Sequence, residues 1–182
     1  MPANVDDEVY SMLTVGDDLW IGTYQGGSSD VSLWNSTQDQ WTVYSSNSLG
    51  SFAYPADLNL CDDIVHVAFG QVVWWSQGFV ARYDYGDHDG NSVTDEWIDS
   101  WDNSDLSDSD PRAVACDEAH PMAYVAFDTD NVGIDRYSYS TSSFESTILP
   151  SDGIAIEPIF PGGLLHDDDL LIASHVDQGG IS

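Results

Sequence analysis

The segment Asp18-Leu-Trp-Ile-Gly-Thr-Tyr-Gln-Gly-Gly-Ser-Ser-Asp-Val-Ser-Leu-Trp-Asn35 has the pattern of a β-hairpin. Asp17-Asp18 supplies turn chemistry, and Leu19 to Tyr24 is an apolar and β-branched run broken by one glycine. Gly26-Gly27 marks a second turn, and Val31 to Trp34 resumes strand character. The pattern returns along the chain. Trp20-Ile-Gly-Thr23 aligns with His66-Val-Ala-Phe69, Tyr124-Val-Ala-Phe127 and Leu171-Ile-Ala-Ser174. The spacings are 46 residues from Trp20 to His66, 58 to Tyr124 and 47 to Leu171. Periods of this size indicate radial or solenoid arrays.

The rest of the unit recurs too. A second hairpin strand appears as Val31-Ser-Leu-Trp34, Val80-Ala-Arg-Tyr83 and Gly133-Ile-Asp-Arg-Tyr137, followed by outer aromatics Trp41, Trp97 and Phe144. Before each hairpin lies a short strand ending in acidic residues: Asp17-Asp18, Asp62-Asp63, Asp117-Glu118 and Asp167-Asp168-Asp169. Four strands per unit, small or aliphatic first and aromatic last, taper like the blade of a β-propeller. The expected fold is all-β, with β-propeller-type repeats of four-stranded antiparallel blades, about three and a half in the chain. One incomplete domain over 1–182 would hold repeats at about 9–54, 55–109, 110–158 and 159–182. Residues 9–45 resemble the repeat of two-component-regulator-type β-propellers. That resemblance implies a sensory or ligand-binding module and carries no catalytic residues.

Charge constrains the function. The chain has 32 acidic side chains against 3 arginines and no lysine, a net charge of −29. Nucleic acid and anionic membrane are therefore poor partners. Self-repulsion of this size calls for screening by salt or divalent cations, which suggests a marine or halophilic source or a calcium-rich exterior. Residues 1–8 lack the basic and apolar regions of a signal peptide, and no run of 18 apolar residues exists. The setting expected is extracellular or the cell surface.

The second repeat is the longest. Its longer insertion reads Asp87-His-Asp-Gly-Asn-Ser-Val-Thr-Asp-Glu96. Asp87, Asp89, Asn91 and Asp95 alternate as hard-cation ligands do, with Val93 offering a carbonyl. The loop resembles the calcium loops of thrombospondin type 3 and FG-GAP repeats, which implies calcium as a cofactor. It departs from them at Ser92, where glycine is usual, and Ile98 offers no closing carboxylate. The alternative is a solvated hairpin loop. The shorter insertion holds Trp74-Trp75, whose side chains alternate in direction, so one could stack on a sugar ring or a proline-rich peptide. The alternative packs it over a sheet edge.

The acidic turns Asp17, Asp18, Asp62, Asp63, Asp117, Glu118, Asp167 and Asp168 would crowd one mouth of a central channel, or serve simply as turn residues. Cys61 and Cys116 end equivalent strands in neighbouring repeats, a placement expected to hold them too far apart for a disulfide and to leave two small buried hydrophobes. His66 occupies an aromatic slot and is expected in the core. No nucleophile, zinc or phosphate-loop motif appears. The function expected is a ligand-binding or sensory module with a carbohydrate or peptide ligand. The alternatives are a glycan-active hydrolase or lyase using channel-mouth carboxylates, and a structural segment of a larger surface protein. Closure would need the rest of a longer chain or a second propeller half.

Overall fold

The computed structural model describes residues 8–25, 28–72, 76–86, 95–117, 119–128, 133–145 and 147–148, and the backbone of 161–167 and 170–175. The first sheet comprises β1 (Glu8–Val15), β2 (Asp18–Gln25), β3 (Ser28–Asn35) and β4 (Gln40–Ser45). A four-residue helix, α1 (Ser46–Leu49), leads to the second sheet of β5 (Ala53–Cys61), β6 (Ile64–Gln71), β7 (Phe79–Asp84) and β8 (Glu96–Trp101). The third contains β9 (Pro111–Asp117), β10 (Met122–Phe127), β11 (Ile134–Ser138) and β12 (Ser143–Phe144); β13 (Pro161–Asp167) and β14 (Leu170–His175) pair as a two-stranded sheet. Each four-stranded sheet is an antiparallel meander in sequence order. First strands of successive sheets adjoin, β1 to β5, β5 to β9 and β9 to β13. Among the described residues no closed barrel or propeller forms, and no helix is long and apolar enough to cross a membrane.

The expected four-strand repeat is therefore present, and its slot residues fill the core. Trp20, Leu33, Val65, Val67 and Tyr83 lie between the first two sheets. Val80, Trp101, Val114 and Val125 lie between the second and third. The outer aromatics Trp41, Trp97 and Phe144 sit on β4, β8 and β12.

A feature the sequence pattern did not announce recurs in every first strand. Consecutive residues of the second strand pair with residues two apart on the first: Thr23 and Gly22 with Val9 and Ser11, Phe69 and Ala68 with Pro55 and Asp57. The same skip separates Pro111 from Ala113 and Pro161 from Gly163. Each is a β-bulge with one extra residue. Three of the four have proline beside it, where the missing N–H leaves no ladder bond unmade. At the bulge the sheets approach closely. A Cβ on Gly22 would lie 2.9 Å from Pro55 Cβ of the next sheet, so only glycine fits there.

The register also corrects two expectations. Counted from the residue pairs that close the hairpins, Val15–Asp18, Cys61–Ile64, Asp117–Met122 and Asp167–Leu170, the slot of Trp20, His66 and Tyr124 falls on Ile172, not Leu171. The extra acidic residue of the fourth unit belongs to the strand rather than the turn. The same count shows that Cys61 and Cys116 are not equivalent. Cys116 pairs with Ala123, as Leu60 pairs with Val65, one position before that of Cys61. One residue reverses the face of a strand. Cys61 thus points toward the third sheet and Cys116 back toward the second, and they form a disulfide with Cα atoms 5.3 Å apart. The expectation of two unpaired hydrophobes is overturned, because adjoining first strands lie within the reach of a disulfide.

Candidate functional site between the second and third sheets

β7 and β8 on one side, and β11 with its following turn on the other, leave a cleft of about 510 Å³ lined by Asp62, Arg82, Glu96, Asp99, Tyr137 and Tyr139, among others. Strand alternation puts Arg82 on the face toward the third sheet, and Tyr137 on the face toward the second. The Arg82 guanidinium lies 4.8 Å from the Trp101 ring centroid and 5.9 Å from that of Tyr137. Its Nε donates to Asp99 O at 2.7 Å, and Nη2 donates to the same oxygen. One of only three arginines is thus held between two rings, with its charge presented to the cleft. Trp97 also lines the wall; its Nε1 is buried and has no hydrogen-bond partner among the described residues.

The floor is fixed by one hydrogen-bond chain. His66 is fully buried. Its Nδ1 lies 3.0 Å from Ile64 O, which can only accept, so Nδ1 carries the proton. Nε2 is then the acceptor, and the Tyr139 hydroxyl donates to it at 2.6 Å. Burial, with the Arg82 charge beside it, pulls the His66 pKa down to about 3, so the ring stays neutral. Burial also pushes the Tyr139 phenol up, which keeps its proton in place. A neutral imidazole and a committed phenol position a wall; they do not exchange protons near neutral pH. Tyr139 also lines an adjacent hollow of about 300 Å³ beside the disulfide, with Asp62, Asp63 and Asp117.

The acidic turns reach the site only in part. Asp62, Asp63 and Asp117 gather around this hollow. Asp62 and Asp63 take φ values of 50° and 60°, the left-handed pair of a two-residue hairpin turn. Asp117 accepts from the Ala119 and His120 backbone at 2.9 and 3.0 Å. Asp18 accepts from the Ser36 backbone and hydroxyl at 2.8 and 2.9 Å. Turn chemistry accounts for these contacts. Asp17 follows Gly16 in the β1–β2 turn, and Asp167 closes β13. Glu118 and Asp168 lie outside the described residues, as do Trp74 and Trp75 and the calcium-loop residues Asp87, Asp89, Asn91 and Val93. Asp95 is described: it is exposed, its φ is 60°, and its carbonyl accepts from the Tyr83 hydroxyl at 2.7 Å. Among the described residues no three His, Cys, Asp or Glu side chains gather as a metal site.

Sequence reasoning singled out Asp62 but missed Arg82, Glu96, Asp99 and Tyr139 as site residues. One signal was available. Tyr139 follows Tyr137 by two positions, which puts both rings on one face of β11 and its continuation. No protein-family model matches the chain, and a search of curated proteins finds no match.

Proposed function

We propose that this chain is a ligand-binding module of β-propeller type, working outside the cell or at its surface, and that the cleft between the second and third sheets takes the ligand. The observation that carries the reading is the cleft's construction. Its rings and guanidinium are rigidly placed, while His66 and Tyr139 beneath them hold their protons. Rigid aromatic and polar groups over an imidazole and phenol that keep their protons favour recognition over turnover. Tyrosine faces beside carboxylates suit a sugar ring with its hydroxyls. The Cys61–Cys116 disulfide supports an oxidising setting. Halophilic adaptation is proposed from the net charge of −29.

Calcium belongs to the same proposal. Near the end of the acidic insertion the Asp95 carbonyl is tied to Tyr83 in the core, so an ion held by the insertion would brace the outer edge of the second sheet. Calorimetric titration of wild type and Asp89→Ala in high sodium chloride should show heat in the first only. Extracellular modules of this kind bind at about 10⁻⁴–10⁻³ M.

The ligand reading is tested on a polysaccharide and glycan panel, with tryptophan fluorescence as a second readout. Binding without product release is expected, and Tyr137→Ala should weaken it about tenfold or more, a loss of about 1.4 kcal/mol. Release of product would favour the hydrolase alternative. Binding unaffected by Tyr137→Ala would move the site elsewhere.

A further inference from the structure

One wall separates the cleft from the hollow beside it, and the disulfide is built into that wall. Asp62 and Tyr139 line both cavities, and Cys61 and Cys116 line the hollow. Register explains the placement. Asn59, His66 and Arg82 form one row across β5, β6 and β7. Each reaches the third sheet: Asn59 donates to the Val114 carbonyl, His66 accepts from Tyr139, and Arg82 lies 5.9 Å from the Tyr137 ring centroid. Cys61 is two residues beyond Asn59 on β5, so it stands on the same face. Its own row, through Ile64 and Asp84 to Glu96, is the end of the sheet that carries the cleft.

Two paths lead from the disulfide to the cleft. On one side Cys61 is followed directly by Asp62. On the other, Cys116 leads into the β9–β10 turn, whose Pro121 carbonyl accepts from the Tyr139 N–H at 3.0 Å. The Tyr139 hydroxyl in turn donates to His66 at 2.6 Å. Tyr139 is thus held at its backbone by the segment that the disulfide anchors, and at its tip by the second sheet.

We infer that the Cys61–Cys116 disulfide is a redox latch on the cleft. Reduction by a dithiol frees this end of the two sheets and withdraws Tyr139 from His66; reoxidation restores the wall. Access is from the hollow. Cys61 is 2% exposed and Cys116 is half-buried, so a reductant reaches Cys116 Sγ first. A thiolate of the dithiol attacks that sulfur, the S–S bond breaks, and Cys61 leaves as a thiolate that takes up a proton. The second thiol of the reductant gives up its proton and displaces Cys116, which is protonated in turn. Two electrons and two protons pass to the protein, and the dithiol becomes a disulfide. Asp62, Asp63 and Asp117 around the hollow repel the attacking thiolate, so screening salt speeds the opening. The Asp57 and Asn59 bonds to Val114 remain, so the two sheets stay joined. The latch operates with or without a ligand in the cleft.

The test is nitrogen NMR of the full chain labelled at histidine, at neutral pH in molar sodium chloride. Spectra are taken before reduction with dithiothreitol, after it, and after reoxidation. Mass spectrometry of alkylated samples confirms the state of both cysteines. In the oxidised chain His66 Nε2 should carry the shift of a nitrogen that accepts a hydrogen bond. Tyr139→Phe keeps the ring and removes the donor, so it marks the shift without that bond. Reduced wild type should move to the Tyr139→Phe position and return on reoxidation, with an unchanged far-ultraviolet spectrum. Cys61→Ser with Cys116→Ser should sit at that position with or without dithiothreitol. A fully reduced chain that keeps the oxidised shift overturns the inference, as does a shift that fails to return or one that Tyr139→Phe leaves unchanged. So does a reduced chain that loses its strand spectrum, because the bond would then hold the fold rather than the cleft.

Discussion

The two described sheet-to-sheet interfaces share one backbone plan but differ in chemistry. Between the first and second sheets, slot residue Trp20 is surrounded by Tyr44, Tyr83, Tyr85 and Trp97. Its only polar atom donates to the Tyr85 hydroxyl at 2.8 Å. Between the second and third sheets the same slot holds His66, packed against Trp101 and Tyr139, and polar and covalent contacts are added to the aromatic ones. The Asp57 carboxylate accepts from the Val114 N–H at 2.9 Å, and the Asn59 amide donates to the Val114 carbonyl at 3.0 Å. The disulfide closes the end of the same pair of strands. Where aromatic burial is abundant, packing does most of the joining, helped by hydrogen bonds from Trp20 to Tyr85, from Ser11 to the Pro55 carbonyl and from Ser29 to the Ala53 carbonyl. Where the first strand of the second sheet presents Asp57, Asn59 and Cys61 to its neighbour, directed bonds do more of the joining. The directed interface is also the one that opens into a cleft.

This contrast can be broken at its apolar side first. Trp20→Ala should cost about 3–5 kcal/mol, the range for deleting a large buried aromatic, because the surrounding rings cannot collapse into the space. Chemical denaturation with both sheets' tryptophans as reporters checks it; a loss under 1 kcal/mol would mean the interface repacks.

At the directed interface, Cys61→Ala with Cys116→Ala should cost about 2–4 kcal/mol, as expected for a link 55 residues apart in sequence. Melting in the presence and absence of a reductant gives the same comparison without mutation. Wild type should lose stability on reduction, and the double variant should not respond.

Next in size is a pH effect confined to the directed side. Burial raises Asp57 to about 6 and Asp110 to about 7. An unfolded aspartate titrates near about 3.9. The folded chain therefore holds these protons more tightly than the unfolded chain. Their contribution to stability is fully present below about pH 4 and is lost as pH rises through about 6 to 7. The melting temperature should be higher at pH 5 than at pH 8. Asp57→Asn retains an acceptor for Val114 and should flatten the lower part of that slope. A melting temperature that climbs from pH 5 to pH 8 would contradict the assignment.

The smallest effect per contact, though summed over the whole surface, is screening. With 32 acidic and 3 basic side chains, raising sodium chloride from low to molar concentration should raise the melting temperature, since repulsion then decays over about 3 Å. A flat curve would remove the argument for a halophilic source.

Much of this fold was legible in the residues. The hairpin at Asp18 to Asn35, the slot shared by Trp20, His66 and Tyr124, and the outer aromatics Trp41, Trp97 and Phe144 follow from alternation and turn residues, which act within a few positions. So does the placement of His66 in the core, since its slot is otherwise apolar or aromatic.

Other features depended on how sheets meet. Cys61 and Cys116 look equivalent by counting to the next acidic turn, yet Asp117 extends its strand by one residue and reverses the face of Cys116. Leu171 looks like the fourth slot residue, but the hairpin closes at Asp167–Leu170 and moves the slot to Ile172. The bulge repeated through Val9, Pro55, Pro111 and Pro161 was hidden because a bulge changes pairing count, not hydrophobic pattern. Arg82 and Tyr139 are 57 residues apart in the chain and belong to different sheets. The sequence determined each sheet by itself, because hydrogen-bonded strands impose a period of two on their side chains. Only the tertiary structure decided which faces meet, and so where the disulfide and the cleft lie.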